Sequence, residues 1–352
     1  MQSRSGFAES GPEKTDLTNL TPAELKSFIQ CLGKERFRAR QLMKWIYQAG
    51  SRDIGEMTNL SREFREDLDR IARVGFLPVE TIQVSADGTK KALFRLADGE
   101  TIETVLIQEK NHWTVCVSTQ AGCAMGCAFC LTGASGFRRN LLPSEIAGQV
   151  TALRFGTPEG PFIKNVVLMG MGEPLLNYDN TLKAIDIMTS DVGLDISKRR
   201  ITVSTCGITP MIRRLGKDLS VNLALSLNAP DDETRNRLMP INKKYPLADV
   251  LDACRDYPMP LRRRITMEYI LIRDVNDSPE DAEKLARLVK NVRCKFNLIA
   301  FNEHPGSDFK TSPPDRVDAF RDILVKHNYT AVVRKSKGRD ILAACGQLRG
   351  RS

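Results

Sequence analysis

The sequence predicts an α/β protein in which a small helical domain and a β-meander precede a parallel sheet. Three patterns carry this prediction: apolar residues at helical spacing near the N-terminus, alternating residues between two Asp-Gly turns, and then a regular exchange of strand-like and helical segments. The exchange repeats for six or seven βα units. This many consecutive units fits a full or partial barrel.

The predicted elements divide the chain into four segments. Residues 1–18 are rich in Ser, Gly and charged residues and are expected to be a disordered tail. Residues 19–76 form the helical domain, whose first helix is predicted to begin at the capping pattern Thr21-Pro22-Ala-Glu24. Residues 77–108 form the β-meander, interpreted as a linker, and residues 109–352 form the barrel and a C-terminal loop.

Within the barrel segment, strand-like apolar runs alternate with helical segments. The predicted strands are residues 114–118, 164–169, 200–204, 221–226, 265–272, 295–300 and 330–334, and the predicted helices lie near 143–155, 179–189, 208–216, 247–256, 279–291 and 314–327. Because ligands gather at the carboxyl ends of parallel strands, we expect the functional residues to follow these strands.

Length, charge and cysteine usage narrow the class of protein. A chain of 352 residues can bury a full core, and a net charge of +9 favours a polyanionic partner, since clustered Lys and Arg gain by releasing counterions from phosphates. No apolar run approaches the ~20 residues that cross a bilayer, and the N-terminus lacks the apolar stretch of a secretory signal. Nine cysteines without a disulfide-framework pattern fit a reducing compartment. We therefore expect a cytoplasmic protein that binds nucleic acid and no membrane.

Three cysteines, Cys123, Cys127 and Cys130, lie at C-x3-C-x2-C spacing in a loop after the first barrel strand. Soft thiolate ligands that converge in this way select zinc, copper(I) or iron–sulfur clusters. A structural zinc site and an ordinary electron-transfer cluster each take four protein ligands, and no fourth Cys or His lies at a suitable spacing nearby. Three ligands would leave one iron of a four-iron cluster open to bind another molecule, which is a catalytic arrangement.

The same spacing, with Phe129 just before the last cysteine, resembles that of the radical S-adenosylmethionine (SAM) enzymes. The resemblance implies a partial (β/α)6 barrel and a [4Fe–4S] cluster on the three cysteines, whose open iron binds SAM and cleaves it to a 5′-deoxyadenosyl radical. The turn Gly170-Met-Gly172-Glu173, which ends the second predicted barrel strand, is similar to the glycine-rich segment of these enzymes. By this resemblance Glu173 would accept a hydrogen bond from the SAM ammonium group.

Further motifs narrow the resemblance to one family. Gly-Met-Gly-Glu173-Pro174-Leu-Leu-Asn, Met239-Pro-Ile-Asn-Lys-Lys-Tyr-Pro and Ala-Ala-Cys345-Gly-Gln-Leu are similar to motifs of the RlmN family of rRNA adenine-C2 methyltransferases, and the likeness covers about residues 21–348. The related Cfr family, which methylates adenine C8, shares the cysteines and the C-terminal motif, and Pro174 favours the C2 enzymes. The SAM contacts that the resemblance implies are Gly172, Glu173, Ser204, Ser226, Leu227, Asn228 and Asn302. The family commonly carries His where this chain has Asn228.

The resemblance also implies a mechanism with two SAM molecules in each turnover. Adenine C2 is electron-poor and cannot attack a methyl group, so one SAM first methylates the thiolate of Cys345. A second SAM supplies the radical that takes a hydrogen from the S-methyl group, and the methylene radical adds to C2. Glu103 would serve as the base for the C2 proton, and Cys116 would release the product through a transient disulfide with Cys345. From the sequence alone, Glu103 is a surface carboxylate on a hairpin strand.

The implied substrate is 23S rRNA, with tRNA as a second candidate, and the implied electron donor is a protein such as flavodoxin or ferredoxin. Basic residues between the βα units would hold the RNA backbone while the target base leaves its stack to reach the pocket. We expect a monomer. Two alternatives stay open: an adenine-C8 methyltransferase of the Cfr kind, and a non-catalytic RNA-binding protein with a metal cluster. The latter would need a fourth cluster ligand and would have no use for Cys345.

Overall fold

The computed structural model describes residues 14–157 and 160–350, which divide into two compact units. The first unit contains residues 14–76 together with 186–195, and the second contains the rest of the described chain. The boundary after residue 76 coincides with the end of the helical domain in the sequence analysis. The segment 186–195 was not expected in the first unit, because it lies within the barrel region of the sequence.

The first unit is mainly helical. Its elements are β1 (Thr15–Asp16), α1 (Pro22–Cys31), α2 (Phe37–Tyr47), α3 (Arg62–Ile71) and β2 (Ala72–Arg73). Helix α1 begins with the predicted capping box: the Glu24 amide donates to Thr21 Oγ1 at 3.2 Å, and the Thr21 amide donates to Glu24 Oε2 at 2.9 Å. Apolar side chains at helical spacing, among them Leu25, Ile29 and Leu42, are fully buried and form the core of this unit.

The predicted disordered tail is wrong for residues 14–18. Strand β1 pairs in parallel with β2, with Thr15 opposite Ala72. Leu17 is fully buried, and Asp16 Oδ1 accepts a hydrogen bond from the Gly75 amide at 3.0 Å. One buried leucine and two strand residues are enough to order this stretch, although they leave no periodic pattern in the sequence. Residues 1–13 lie outside the described residues.

The second unit is organised around one large sheet. Its strands are β3 (Val79–Val84), β4 (Lys90–Arg95), β5 (Thr101–Gln108), β6 (Trp113–Cys116), β7 (Gln120–Gly122), β8 (Phe137–Asn140), β9 (Ile163–Leu168), β10 (Ile201–Thr205), β11 (Asn222–Ser226), β12 (Ile265–Leu271), β13 (Cys294–Ala300) and β14 (Ala331–Val333). Its helices are α4 (Leu131–Ala134), α5 (Pro143–Gly156), α6 (Tyr178–Thr189), α7 (Thr209–Asp218), α8 (Asp232–Leu238), α9 (Leu247–Asp256), α10 (Pro279–Leu288) and α11 (Pro314–Lys326). The last turn of α6, from residue 186, is counted with the first unit. Strands β7 and β8 form a separate antiparallel pair.

The parallel part of the sheet confirms the predicted α/β fold. Strands β6, β9, β10, β11, β12, β13 and β14 lie side by side in this order, and each neighbouring pair is parallel. Helices separate all of them along the chain, so the described residues contain six βα units followed by the short last strand β14. Strands β3 and β14 are the two ends of the sheet order within the described chain. The sheet is therefore open, as a partial (β/α)6 barrel requires.

The predicted β-meander is present, but its interpretation as a linker is wrong. Strands β3, β4 and β5 pair antiparallel in sequence order, and β5 also pairs antiparallel with β6, with Val105 opposite Cys116. Because β5 pairs with β6, residues 77–108 extend the barrel sheet. Strand β5 is also buried over most of its length. Four further elements, β7, β8, α4 and α8, were not predicted, because they are too short to show a clear period in the sequence.

Strand β11 is buried on both faces. Leu223, Ala224 and Leu225 are consecutive and fully buried, although successive side chains of a strand point to opposite faces. Such a strand reads as a nearly continuous apolar run. On β10 and β12, buried residues alternate with half-buried ones. No helix in the described part of the chain has the length and apolar character of a membrane span.

Candidate active site

A cavity opens at the carboxyl ends of the parallel strands. Its volume is about 880 Å³, which includes the part that opens to solvent. The lining residues that carry chemistry are Cys123, Cys127, Cys130, Gly172, Glu173, Ser204, Cys206, Ser226, Asn228, Glu268 and Cys345. Most of the predicted site residues therefore come together here. Of the described residues that the sequence analysis assigned to the site, Leu227, Asn302, Glu103 and Cys116 do not line this cavity.

The loop that carries the three cysteines is held by backbone hydrogen bonds. The Cys123 amide donates to the Gly136 carbonyl at 2.9 Å, and the Cys130 amide donates to the Cys127 carbonyl at 3.1 Å. Gly122 has a φ of 73°, and a Cβ at this position would lie 1.8 Å from the Gly136 oxygen, so only glycine allows the β7–β8 pair to close beside Cys123. The thiols thus lie on a fixed loop.

The three thiols fit a cluster better than a single metal ion. Burial, together with the neighbouring Cys127 and Cys130, raises the pKa of the Cys123 thiol to about 12. Thiols in such a place become ligands only when a metal compensates the charge of the thiolates. Within the described residues, no three Cys, His, Asp or Glu side chains are close enough to hold one ion. A four-iron cluster spreads its ligands more widely, because each thiolate binds a different iron.

The structure adds a fourth thiol that the sequence analysis did not assign. Cys206 follows β10 and lines the same cavity, and its side chain is hydrogen-bonded to that of Cys127. This hydrogen bond and burial together hold the pKa of the Cys206 thiol well above its usual value. No fourth cysteine lies near the three-cysteine loop in the sequence, as expected, but in the folded chain Cys206 lies next to Cys127. The available signal was the position of Cys206, two residues after a predicted strand, where site residues were expected.

Glu173 is a buried carboxylate at the end of the glycine-rich turn. Its Oε2 accepts from the Cys206 amide at 2.7 Å and its Oε1 from the Leu175 amide at 3.0 Å. Burial raises the pKa of this carboxyl group, while the hydrogen bonds oppose the rise. A buried carboxylate without a cation is costly, and a bound ammonium group would compensate it. Gly172 has a φ of 96°, and a Cβ there would lie 2.5 Å from Gln120 Cβ, so the turn depends on glycine.

The segment that follows β11 has a structural role beside its place at the cavity. Asn228 adopts the left-handed conformation with a φ of 57°, which asparagine tolerates. Its Oδ1 accepts from the Ile270 amide at 2.9 Å, so this side chain supports β12. The backbone of Leu227 is already engaged: its amide donates to the Glu268 carbonyl at 3.0 Å, and its carbonyl accepts from Arg235 Nε at 3.1 Å. Leu227 therefore offers no free polar group to a ligand.

A buried arginine fixes the ends of two neighbouring strands. Arg235 is fully buried, and burial lowers the pKa of its guanidinium group. It donates to the carbonyls of Cys206 at 2.7 Å and Ser226 at 3.2 Å, and to Asn242 Oδ1 at 2.8 Å. The guanidinium group thus satisfies carbonyls at the ends of β10 and β11 that the parallel sheet leaves free. Arg235 was not predicted as a site residue, because helix α8, which carries it, was not predicted either.

Cys345 faces the cavity from the C-terminal segment. The residue is exposed, and its exposed surface belongs to the wall of the cavity. Desolvation within the site and then the charge of Glu268 raise the pKa of its thiol to about 11. Asn302 Nδ2 donates to the Cys345 carbonyl at 3.3 Å, whereas the buried Asn302 Oδ1 has no partner among the described residues. This buried acceptor is therefore available to a hydrogen-bond donor from a ligand or a water molecule.

Cys116 and Glu103 do not line the cavity. Cys116 ends β6, where burial and then the nearby Cys345 raise the pKa of its thiol, so the two sulfurs are close enough to interact. Glu103 is buried, which makes the interpretation as a surface carboxylate wrong. Its Oε1 lies 3.0 Å from Lys91 Nζ, and its Oε2 accepts from the Arg349 amide at 2.9 Å. Glu103 therefore anchors the C-terminal segment in this structure.

Comparison with known proteins gives consistent matches. Residues 15–74 match the family "Ribosomal RNA large subunit methyltransferase N-terminal domain", and residues 117–289 match the "Radical SAM superfamily". The chain is 59% identical over 339 residues to a dual-specificity RNA methyltransferase RlmN from Syntrophus aciditrophicus (strain SB), covering 96% of this chain and 97% of the relative. It is 51% identical over 336 residues to the protein of that name from Geobacter sulfurreducens (strain ATCC 51573 / DSM 12127 / PCA), covering 96% of this chain and 92% of the relative.

A solved structure shares the whole fold. The crystal structure of a radical SAM methyltransferase from Sphaerobacter thermophilus matches with a TM-score of 0.90 and 43% sequence identity. The match covers 96% of this chain and 100% of the other. The similarity therefore extends over nearly the whole chain.

Proposed function

Because the chain belongs to the RlmN family of radical SAM enzymes, we propose that it methylates C2 of a specific adenine in 23S rRNA and of adenines in tRNA. The relatives named above carry the description "dual-specificity RNA methyltransferase". One observation supports the proposal most strongly: the nucleophilic thiol of Cys345 lines the same cavity as the three-cysteine loop. An enzyme that only cleaves SAM, or a protein that only holds a cluster, has no use for this thiol.

The cavity has the donors that the cofactors need. Cys123, Cys127 and Cys130 would hold a [4Fe–4S] cluster, and the buried Glu173 on the cavity wall fits the ammonium group of SAM. Asn302 does not line the cavity, but its unpaired Oδ1 lies on the residue that holds the Cys345 carbonyl and could accept a further hydrogen bond from SAM. When bound, the cluster supplies the electron that cleaves SAM to a 5′-deoxyadenosyl radical. The remaining proposed SAM contacts, Gly172, Ser204, Ser226 and Asn228, line the same cavity, and a contact by Leu227 is the least supported. Two SAM molecules are consumed in each turnover.

The residues of this chain divide the chemistry between them. Adenine C2 is not a nucleophile, so Cys345 carries the methyl group from SAM and later bonds to the base through it. Cys116 is near Cys345 and can attack its sulfur, which releases the methylated base and leaves a disulfide. Glu103 accepts the C2 proton. That role requires the contacts of Glu103 with Lys91 and with the backbone of residues 349–350 to open when RNA binds.

The proposed partners follow from charge. Exposed basic residues, among them Lys198, Arg199, Lys243, Lys244 and Arg262, lie on loops and short turns of the second unit. Such residues hold phosphates while an extruded base enters the pocket. The proposal includes a cytoplasmic, monomeric enzyme that takes its electron from a donor such as flavodoxin or ferredoxin.

Two alternatives have specific support. A C8 methyltransferase of the Cfr kind would use the same cysteines. A non-catalytic cluster protein gains support from Cys206, because this thiol contacts Cys127 and could complete a four-thiolate site. The position of Cys345 in the cavity, and the orphaned Asn302 beside it, favour the catalytic alternatives.

The test is anaerobic reconstitution of the full chain with iron and sulfide, followed by reductant, SAM and unmodified rRNA. Mass spectrometry of the digested RNA should show 2-methyladenosine. The product should disappear in Cys130→Ala and persist in Cys31→Ala, which removes an exposed cysteine of the first unit. A product of 8-methyladenosine would show that the enzyme methylates adenine C8 and not C2. A stable cluster without any methylated adenine would contradict the proposed function.

A further inference from the structure

One charged side chain in the cavity has no part in the proposed mechanism. Glu268 lies on β12 and lines the same cavity as Cys345. Asn297, its register partner on β13, donates from Nδ2 to Glu268 Oε1 at 2.9 Å and holds the carboxylate in place. The other oxygen, Oε2, has no hydrogen-bond partner among the described residues. The carboxylate is therefore oriented by one oxygen and free to accept a proton at the other.

The charge environment suits a proton acceptor. Burial raises the pKa of Glu268 to about 7, while Asn297, Arg334 and Lys295 act in the opposite direction. A carboxylate with this pKa is ionised in a large fraction of molecules at neutral pH and can still hold a proton, which is the optimum for a general base. The basic groups that face it are Lys295 on β13 and Arg334 after β14, and the acidic group is the Cys345 thiol.

We propose that Glu268 accepts the thiol proton of Cys345 when this thiol takes its methyl group from SAM. This inference rests on the proposed function, because it concerns the methylation of Cys345. In the step the S–H bond breaks and its proton goes to Glu268 Oε2. The sulfur electron pair forms the S–CH3 bond, the bond from the methyl carbon to the sulfonium breaks, and S-adenosylhomocysteine leaves. Glu268 then returns its proton to solvent.

Charge balance is the physical reason for the pairing. Loss of the Cys345 proton to solvent would leave two negative charges, the thiolate and the Glu268 carboxylate, at the same cavity. Their repulsion is part of what holds the thiol protonated. Transfer of the proton to Glu268 keeps the total at one negative charge, so the two groups titrate as a coupled pair. The proton can therefore leave the sulfur without an uncompensated charge next to it.

Two other roles for Glu268 predict different results. A carboxylate that only repels the thiolate would slow the reaction of Cys345, so its removal would accelerate that reaction. A carboxylate that only binds SAM would leave the intrinsic reactivity of Cys345 unchanged. The intrinsic reactivity of this thiol, measured without SAM, separates all three roles.

The experiment measures alkylation of Cys345 by iodoacetamide in the purified, full-length chain under anaerobic conditions, before any SAM is added. Trypsin releases residues 340–349, in which Cys345 is the only cysteine, so mass spectrometry follows this thiol alone. General bases typically contribute ~10²–10⁴-fold. We expect Glu268→Gln to slow alkylation at pH 7.5 by about tenfold or more, and Glu268→Asp to restore part of the rate. Glu80→Gln, which removes an exposed carboxylate of β3, is the matched control and should leave the rate unchanged.

The outcomes decide the proposal. In the wild-type chain the rate should rise through a step near pH 7, and this step should be absent in Glu268→Gln. Faster or unchanged alkylation in Glu268→Gln overturns the proposal. If that variant does not fold, the wild-type profile decides alone, because a rate that climbs steadily to high pH without the step also overturns it. Incubation of the wild-type chain with SAM tests the proposed function separately, since the 340–349 peptide should gain one methyl group.

Discussion

Gly172 offers a quantitative test of the site geometry, because a nearly identical glycine provides the control. Gly172 has a φ of 96°, and a Cβ there would lie 2.5 Å from Gln120 Cβ and 2.8 Å from the Gln120 amide nitrogen. Gly99, in the turn between β4 and β5, has a φ of 88°, and a Cβ there would meet nothing within 4 Å. Both glycines belong to the second unit. Substitution by alanine therefore introduces similar backbone strain at both positions and a steric clash only at Gly172.

The magnitudes follow from these two terms. An alanine in the left-handed conformation costs about 1–2 kcal/mol, which is the whole expected loss for Gly99→Ala. Overpacking against Gln120 adds about 1–3 kcal/mol, so Gly172→Ala should lose about 2–5 kcal/mol in the free energy of unfolding. Each kcal/mol corresponds to roughly 2–4 °C in the midpoint of a unit of this size.

The assay is thermal and guanidinium unfolding of both variants, followed by far-UV circular dichroism under identical conditions without cofactors. The transition of the second unit is the one to compare, since the chain contains two units. Equal losses in the two variants would refute the reasoning, because they would mean that Gln120 moves freely and that close approach does not shape the turn at Glu173.

Two further predictions concern the cysteines. Cys206→Ala should keep the iron content of the reconstituted chain and the spectral change on addition of SAM, whereas Cys130→Ala should lose most of its iron. Loss of iron from Cys206→Ala would instead favour a cluster held by four thiolates, which has no open position for SAM. Cys116→Ala should accumulate a covalent protein–RNA species that resists denaturation and appears as a shifted band on gels, because no thiol is left to break the bond between Cys345 and the base. The control is Cys254→Ala, which removes a buried cysteine outside the site and should turn over normally. Normal turnover in Cys116→Ala would contradict the resolving role of Cys116.

The sequence predicts those parts of the fold that leave a periodic pattern. Each predicted parallel strand lies within two residues of the observed one at either end, because most of these strands bury apolar side chains on at least one face. The order of the sheet also follows, since consecutive βα units place each strand beside the previous one. The stretch at Thr15–Asp16 could not be predicted, because two strand residues and one buried leucine have no period.

The candidate site likewise has residues that the sequence predicts and contacts that it does not. Residues directly after strands, such as Glu173, Ser204 and Ser226, could be placed at one edge of the sheet from the sequence alone. Contacts between distant segments could not, and the pairing of Cys206 with Cys127 and of Glu103 with Lys91 are examples. Glu268 could have been singled out from the sequence, because it is a carboxylate within a largely apolar strand. A buried charge is costly, so such a residue is a candidate for a functional role.

The position of Cys345 on the C-terminal segment, and not on a strand, has a physical reason. In the proposed mechanism the thiol must meet SAM, the target base and Cys116 in turn, and a side chain locked in the sheet could not. Ala344 and Leu348 are buried on either side of the exposed Cys345, and the Leu131 amide donates to the Gly346 carbonyl at 2.8 Å. Leu131 follows Cys130 directly, so the segment with the reactive thiol is tied to the loop that would hold the cluster. Small buried anchors and single hydrogen bonds position such a segment without making its movement prohibitively costly, because each bond contributes only about 1 kcal/mol.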